Sequence, residues 1–188
     1  ILAGFSQELV SSGREIIRLR RELVPEIGPL ISAACRRVGA EGEEVHVEYL
    51  PSARGDFAVE LAQSQARERV YRFTVVGPHR DDLQIQLNDR SAAQFSSEGQ
   101  KRMLAIGFKM AQAEYLSAAH GSPPILLIDD ILGELDAKRR AGFVPLLEKV
   151  CQARGQIFMT ATEENWEGGI ARETNRWQVN RGTLAWRG

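Results

Sequence analysis

Asp129 and Asp130 follow the apolar run Ile125-Leu126-Leu127-Ile128 within PPILLIDDILGELD (123–136). Four consecutive apolar residues after two prolines predict a strand buried on both faces. The acids then lie where it emerges, the place at which open α/β sheets bind ligands. Alternation along a strand turns adjacent carboxylates to opposite sides. One then suits the water shell of a Mg²⁺ ion, and the other suits orienting and polarising an attacking water. A core strand followed by an acidic solvent loop explains the same residues, and on this segment alone both readings stand.

A second constellation is FSSEGQKR (95–102), placed just before a long apolar-periodic stretch. Ser97 followed by Gln100 fits a capping box that satisfies free amides at a helix start. The same local geometry offers a hydroxyl, a glycine permitting close backbone approach and exposed N–H groups at a positive helix end. Together these make a phosphate site. Again both readings stand.

The elements that must hold these residues follow from periodicity. Phe5, Leu9, Ile16, Leu23, Ile27 and Leu30 recur at helical spacing, and Pro25, Gly28 and Pro29 predict a break into two helices. VHVEYL (45–50) reads as a strand, and 57–70 slightly favours a helix. RFTVV (72–76) and LQIQL (83–87) read as strands, the second half-buried. A helix is expected over 98–117, with Met103, Leu104, Phe108, Met110, Ala111 and Tyr115 in the core. A strand at 125–128, a helix at 137–152 and a strand at 156–160 complete a strand–helix–strand pattern. That is the signature of a parallel sheet covered by helices. Residues 176–187 predict a hairpin around Arg181-Gly182, with Trp177 and Trp186 as packing or cross-strand partners.

Composition narrows the function classes. The 188 residues are 43% hydrophobic and 26% charged, enough apolar material for a core. No apolar run reaches the ~20 residues of a membrane span. Cys35 and Cys151 form no CxxC pair, which excludes a Cys-type zinc site and points to a reducing, cytoplasmic setting. A net charge of −1 argues against nucleic-acid binding by bulk charge and leaves a local basic patch open. Arg14, Arg18 and Arg21 form such a stripe at i, i+4 and i+7. Glu15 and Glu22 beside them favour a solvated, balanced face over phosphate-backbone contact. GPHRDD (77–82) is a mixed-sign cluster best read as a turn with Arg–Asp pairing. The first residue is Ile1, and the chain reads as part of a longer protein.

Taken together, GPHRDDL (77–83), SSEGQKR, ILLIDDILGELD and IFMTAT (157–162) resemble the ABC-type ATPase head and, within it, the RecF family of bacterial DNA replication and repair ATPases. The resemblance is strong over about 72–162. It implies an α/β fold: the C-terminal lobe of a P-loop ABC-type ATPase head, with a parallel sheet flanked by helices. Residues 1–70 would be a helical arm remnant plus connector and 71–188 the lobe.

By that resemblance Asp129 is the Walker B aspartate, supporting Mg²⁺ through water, and Asp130 the catalytic acid. Many relatives carry Glu at that position, so the shorter Asp implies slow hydrolysis. Ser97, Gly99 and Gln100 form the signature motif, which meets the ATP held by the opposite protomer. Gly133, Glu134, Leu135 and Asp136 form the D-loop at the same seam. Thr160 or Thr162 stands at the switch position, where transporters of the superfamily place His. Glu98 replaces the usual signature Gln and brings a negative charge towards the proposed phosphate.

The family further implies an ATP-dependent homodimer on double-stranded or gapped DNA, with RecO and RecR as partners and no membrane. The chain has no GxxxxGK[ST] loop, so alone it is expected to bind ATP–Mg²⁺ weakly or not at all. The two other classes weighed are a transporter nucleotide domain and a non-catalytic interaction module.

Overall fold

The computed structural model describes residues 2–39, 42–161 and 174–187. The chain starts with one 37-residue helix, α1 (Leu2–Val38), where two were expected. At 1.5 Å per residue it is about 55 Å long. Pro25 and Pro29 lie inside it. Each removes one intrahelical hydrogen bond, but Val24, Ile31, Ala34, Cys35 and Val38 are anchored in the core on either side. The buried stripe of α1 is Ile17, Val24, Ile31 and Val38, spaced by seven. Of the expected set, Ile27 and Leu30 pack against the core, whereas Ile16 and Leu23 face solvent one residue away from this stripe.

Two glycines let the helices of the core approach closely. α4 (Glu98–His120) crosses α1 where Gly107 meets Cys35, and a Cβ at Gly107 would overlap the cysteine sulfur. Likewise Gly142 of α5 (Ala137–Gln152) lies against the Arg37 carbonyl. Met103, Leu104, Ile106, Met110, Ala111, Leu146 and Leu147 complete this core. Phe108 packs against it only partly, and Tyr115 instead donates its hydroxyl to Glu26 of α1 at 3.0 Å. The core therefore runs from residue 24 through both helices and across residue 70.

Two sheets and a hairpin accompany the helices. β1 (Val45–Leu50), β2 (Asp82–Leu87) and β3 (Arg90–Ser91) form an antiparallel sheet in that order. Between β1 and β2 lies α2 (Phe57–Tyr71), whose N-cap Asp56 accepts from the Ala58 and Val59 amides. Residues 72–76, expected as a strand, form a turn: Arg72 caps α2 in the left-handed region, with φ 60°. A four-residue helix, α3 (Ala92–Phe95), leads into α4.

β4 (Leu126–Ile128) and β5 (Ile157–Met159) pair in parallel, Leu126 opposite Ile157 and Ile128 opposite Met159. Those four side chains pack on the core. The other face is uncovered: Leu127 is 79% exposed and Phe158 59%. The expectation of a strand buried on both faces is thus corrected. Among the described residues, Leu126, Ile128, Ile157 and Met159 pack on the helical core and Leu127 and Phe158 do not, so helices cover one face only. The hairpin β6 (Trp177–Asn180) and β7 (Thr183–Trp186) pairs Trp177 with Trp186 across the strands, ring centroids 6.2 Å apart.

Candidate functional site

β4 ends at Ile128, so strand alternation does not govern the acids that follow. Asp130 adopts φ 45°, ψ 21°, a left-handed conformation that aspartate tolerates at a cost of about 1–2 kcal/mol. The connection to β5 secures the turn. The Thr160 amide donates to the Ile128 carbonyl at 2.9 Å, continuing the parallel ladder. The Thr160 hydroxyl then donates to Asp129 Oδ1 and accepts the Asp130 amide at 3.0 Å. The two acids and the threonine therefore form one node at the carboxyl edge of the parallel pair. Thr162, the alternative switch residue, lies outside the described residues.

The serine-led turn is built as the capping box requires. Ser97 Oγ accepts the Gln100 amide at 3.3 Å, and Gln100 Oε1 accepts the Ser97 amide at 2.9 Å. Gln100 Nε2 donates to buried Glu43 at 3.0 Å. Both side chains thus have local structural work. The groups left to meet a phosphate are the backbone N–H groups of the first turn, at Glu98 and Gly99, which have no intrahelical acceptor. Glu98 pairs with Lys101 at 2.7 Å, and that contact lowers its pKa. The negative charge that replaces the usual Gln is therefore offset within its own turn.

Residues 133–136 divide by role. Gly133 and Glu134 belong to a 3-10 turn over Ile131–Glu134. Leu135 is buried in the core. Asp136 caps α5, accepting the Arg139 amide at 2.8 Å, and pairs with the Arg139 guanidinium. The Arg139 amide bond leads the causes that lower its pKa. Of the four, Leu135 anchors the loop in the core.

The basic stripe is brought together and largely compensated. Arg14, Arg18 and Arg21 line an open groove of about 350 Å³ between α1 and the loop before α2. Arg14 pairs with Asp56 at 2.5 Å, and Arg18 pairs with both Glu15 and Glu22 at 2.7 Å.

The Gly77–Asp82 string, expected as a turn with Arg–Asp pairing, is centred on a buried carboxylate. The Asp81 side chain is 2% exposed. It accepts the Tyr49 hydroxyl, the Ser52 amide at 2.8 Å and Arg20 Nη1 at 2.9 Å. Arg20 also donates to the Pro78 carbonyl at 2.6 Å, and Ser52 Oγ donates to the Gly77 carbonyl at 2.9 Å. This motif is the joint between α1, β1 and β2. Arg80 does not pair with an aspartate, as expected, but donates to the Thr74 carbonyl and lies over Phe73, 4.6 Å from the ring centre. Nothing in the sequence pattern pointed to Arg20, 61 residues away, as the partner.

No protein-family model matches the chain. It superposes on an SMC head bound to the C-winged helix domain of ScpA with TM-score 0.56 at 14% identity, covering 86% of this chain and 42% of that one. With a parallel pair that ends in two acids, and a serine-capped helix, the fold is that of the C-terminal lobe of an ABC/SMC-type ATPase head. A closer likeness is the structure of the recombination mediator protein RecF-ATPrS in the RecFOR pathway. Its TM-score is 0.79 at 25% identity, over 100% of this chain and 50% of that chain. The DNA replication and repair protein RecF of Anaeromyxobacter sp. (strain Fw109-5) is 38% identical over 173 residues, 86% of this chain and 46% of that relative. The chain belongs to the RecF family and matches its C-terminal portion. It spans about half the length of the curated relatives it matches.

Proposed function

We propose that this chain supplies two edges of a split nucleotide pocket in a RecF-like, DNA-binding ATPase of recombinational repair and replication restart. One edge is the Asp129–Asp130–Thr160 node and the other the Ser97–Gln100 turn. Polypeptide bearing a phosphate-binding loop completes the pocket. Two heads then hold ATP between them, with the first-turn amides at Glu98 and Gly99 meeting the γ-phosphate bound by the opposite protomer. Closure forms a homodimer on double-stranded or gapped DNA, and slow hydrolysis releases it. RecO and RecR are the partners this reading implies, and the cytoplasm its location.

Asp129 and the Thr160 hydroxyl are hard oxygen donors that fit a water-shelled Mg²⁺ ion better than a softer metal. Such an ion would neutralise phosphate charge. Asp130 would accept a proton from water at its carboxylate, and its left-handed backbone sets where that carboxylate stands. One methylene fewer than Glu leaves the acid further from the attacking oxygen, consistent with slow turnover.

The observation that carries this reading is the Thr160 node, which gathers both acids where β4 and β5 end. The test uses the full-length protein. Asp130→Asn should still form ATP-dependent dimers by light scattering, while hydrolysis falls and dimer dissociation slows. Unchanged turnover would place the base elsewhere.

A further inference from the structure

We infer that Arg139 is a positioning residue that joins the Ser97–Gln100 turn to the 133–136 loop, so that both meet the dimer seam as one unit. This inference rests on the split-pocket reading above.

Arg139 touches both segments at once. Its guanidinium pairs with Asp136 at the end of the loop. The same group lies on Gly99: a Cβ there would stand 3.2 Å from Nη1, 3.3 Å from Cζ and 3.4 Å from Nη2. Three nearly equal distances from one point mean that the guanidinium faces the glycine with its plane. The arginine therefore spreads over the first turn of α4 at the position where any other residue would crowd it.

The neighbouring arginine holds the same loop from within the chain. Arg140 Nη2 donates to the Leu132 carbonyl at 2.9 Å and reaches the Leu135 carbonyl at 3.5 Å. Leu135 is buried in the core that α4 shares, and Arg139 adds a contact between the loop and the first turn of that helix. The Arg139 side chain is only 20% exposed. Its Nε is buried and makes no hydrogen bond. A buried donor without an acceptor is costly. A side chain that served only to stabilise α5 would not be held in so costly a place, because the Asp136 carboxylate already caps that helix through the Arg139 amide.

The geometry also separates arginine from lysine. Lysine keeps a positive charge for Asp136 but has no plane to lie on Gly99. Arg139→Lys therefore cuts the link to α4 while preserving the link to the loop.

The test compares Arg139→Gln, Arg139→Lys and Ser97→Arg in the full-length protein. Readouts are monomer affinity for a fluorescent ATP analogue, ATP-dependent dimerisation by light scattering, and steady-state kcat and KM. Both Arg139 variants should bind nucleotide as monomers within about twofold of wild type. Arg139→Gln should weaken the dimer about tenfold and lower kcat with little change in KM. Arg139→Lys should fall between it and wild type, and it remains decisive if Arg139→Gln does not fold. Wild-type dimerisation and turnover in Arg139→Lys and any folded Arg139→Gln, with Ser97→Arg blocking the dimer, would overturn this inference alone. A dimer that survives Ser97→Arg would overturn the split pocket, and this inference with it.

Discussion

The hydroxyl of Thr160 donates to the carboxylate of Asp129, and its oxygen accepts the amide of the next residue, Asp130, at 3.0 Å. One side chain thus orients the Asp129 carboxylate and fixes the backbone of Asp130.

Thr160→Val preserves shape and removes the hydroxyl. It breaks both bonds and leaves the Asp130 amide without its acceptor. Each lost hydrogen bond is worth about 1 kcal/mol, about 2 kcal/mol for the two, so turnover in the full-length protein should fall by up to about thirtyfold, with nucleotide affinity of the monomer retained. Thr160→Ser should keep most of the activity. A steady-state ATPase assay on both variants checks this. Activity retained in Thr160→Val but lost in Thr160→Ser would show that the methyl, and not the hydroxyl, matters.

Asp81 fastens α1 to the antiparallel sheet through three donors. Burial alone would raise its pKa, but the Ser52 amide, the Tyr49 hydroxyl and Arg20 outweigh burial and lower it. The Tyr49 phenol is pushed up to about 12, by burial first and then by the Asp81 contact. A carboxyl whose folded pKa is depressed contributes stability above its unfolded value of about 3.9, and that stability is lost as pH falls through the lower folded value. Asp81→Ala strands the tyrosine hydroxyl and the Ser52 amide and should cost about 2–3 kcal/mol. Urea midpoints measured from pH 7 to pH 3 should fall for wild type below about pH 4 and stay flatter for Asp81→Ala. Parallel curves would show that Asp81 is not the titrating joint.

Much of this was legible in residue types and spacings. Ser97, Gln100, Asp129 and Asp130 were readable because a capping box and a strand-terminal acid pair are local, and the hairpin and α5 fell within a residue of their expected bounds. The phase of α1 was not legible. Ile16 and Leu23 fit a seven-residue repeat as well as Ile17 and Val24 do, and only tertiary packing, on Phe57 and Leu61 for Ile17 and on the main core for Val24, selects between them. RFTVV has strand composition, yet Val75 donates its amide to Glu68 and Thr74 accepts from Arg80, so the segment is consumed by its neighbours. Arg139 on Gly99 and Arg20 on Asp81 depend on chain crossings that no local pattern encodes.

The arginine groove gives a graded expectation for DNA. Arg14 and Arg18 already face carboxylates, so each would have to give up a partner before meeting a phosphate. Replacing Arg14, Arg18 and Arg21 together with Ala in the full-length protein should therefore flatten the slope of log affinity against log salt by about one unit. Three independent phosphate contacts would flatten it by nearly three. Fluorescence anisotropy on duplex DNA across a salt series measures it. No change in slope would remove the groove from the DNA-binding surface.

The parallel pair gives the last expectation. Leu127 and Phe158 sit side by side in register on the face that no described helix covers. Two large apolar side chains in contact with water forgo about 1.5–3 kcal/mol each of burial energy. This chain also spans about half of its relatives. In the full-length protein, covering that face should stabilise the sheet from the side opposite α4 and α5. Leu127→Thr with Phe158→Thr, substitutions that suit a strand through β-branching but remove most of the apolar area, should therefore act in opposite directions in two settings. In this chain alone the double variant should bind less of a hydrophobic dye and stay monomeric at higher concentration. In the full-length protein it should lower the melting temperature by several degrees. The same sign in both settings would mean that the face stays solvated in the longer protein, and that the sheet needs no second cover.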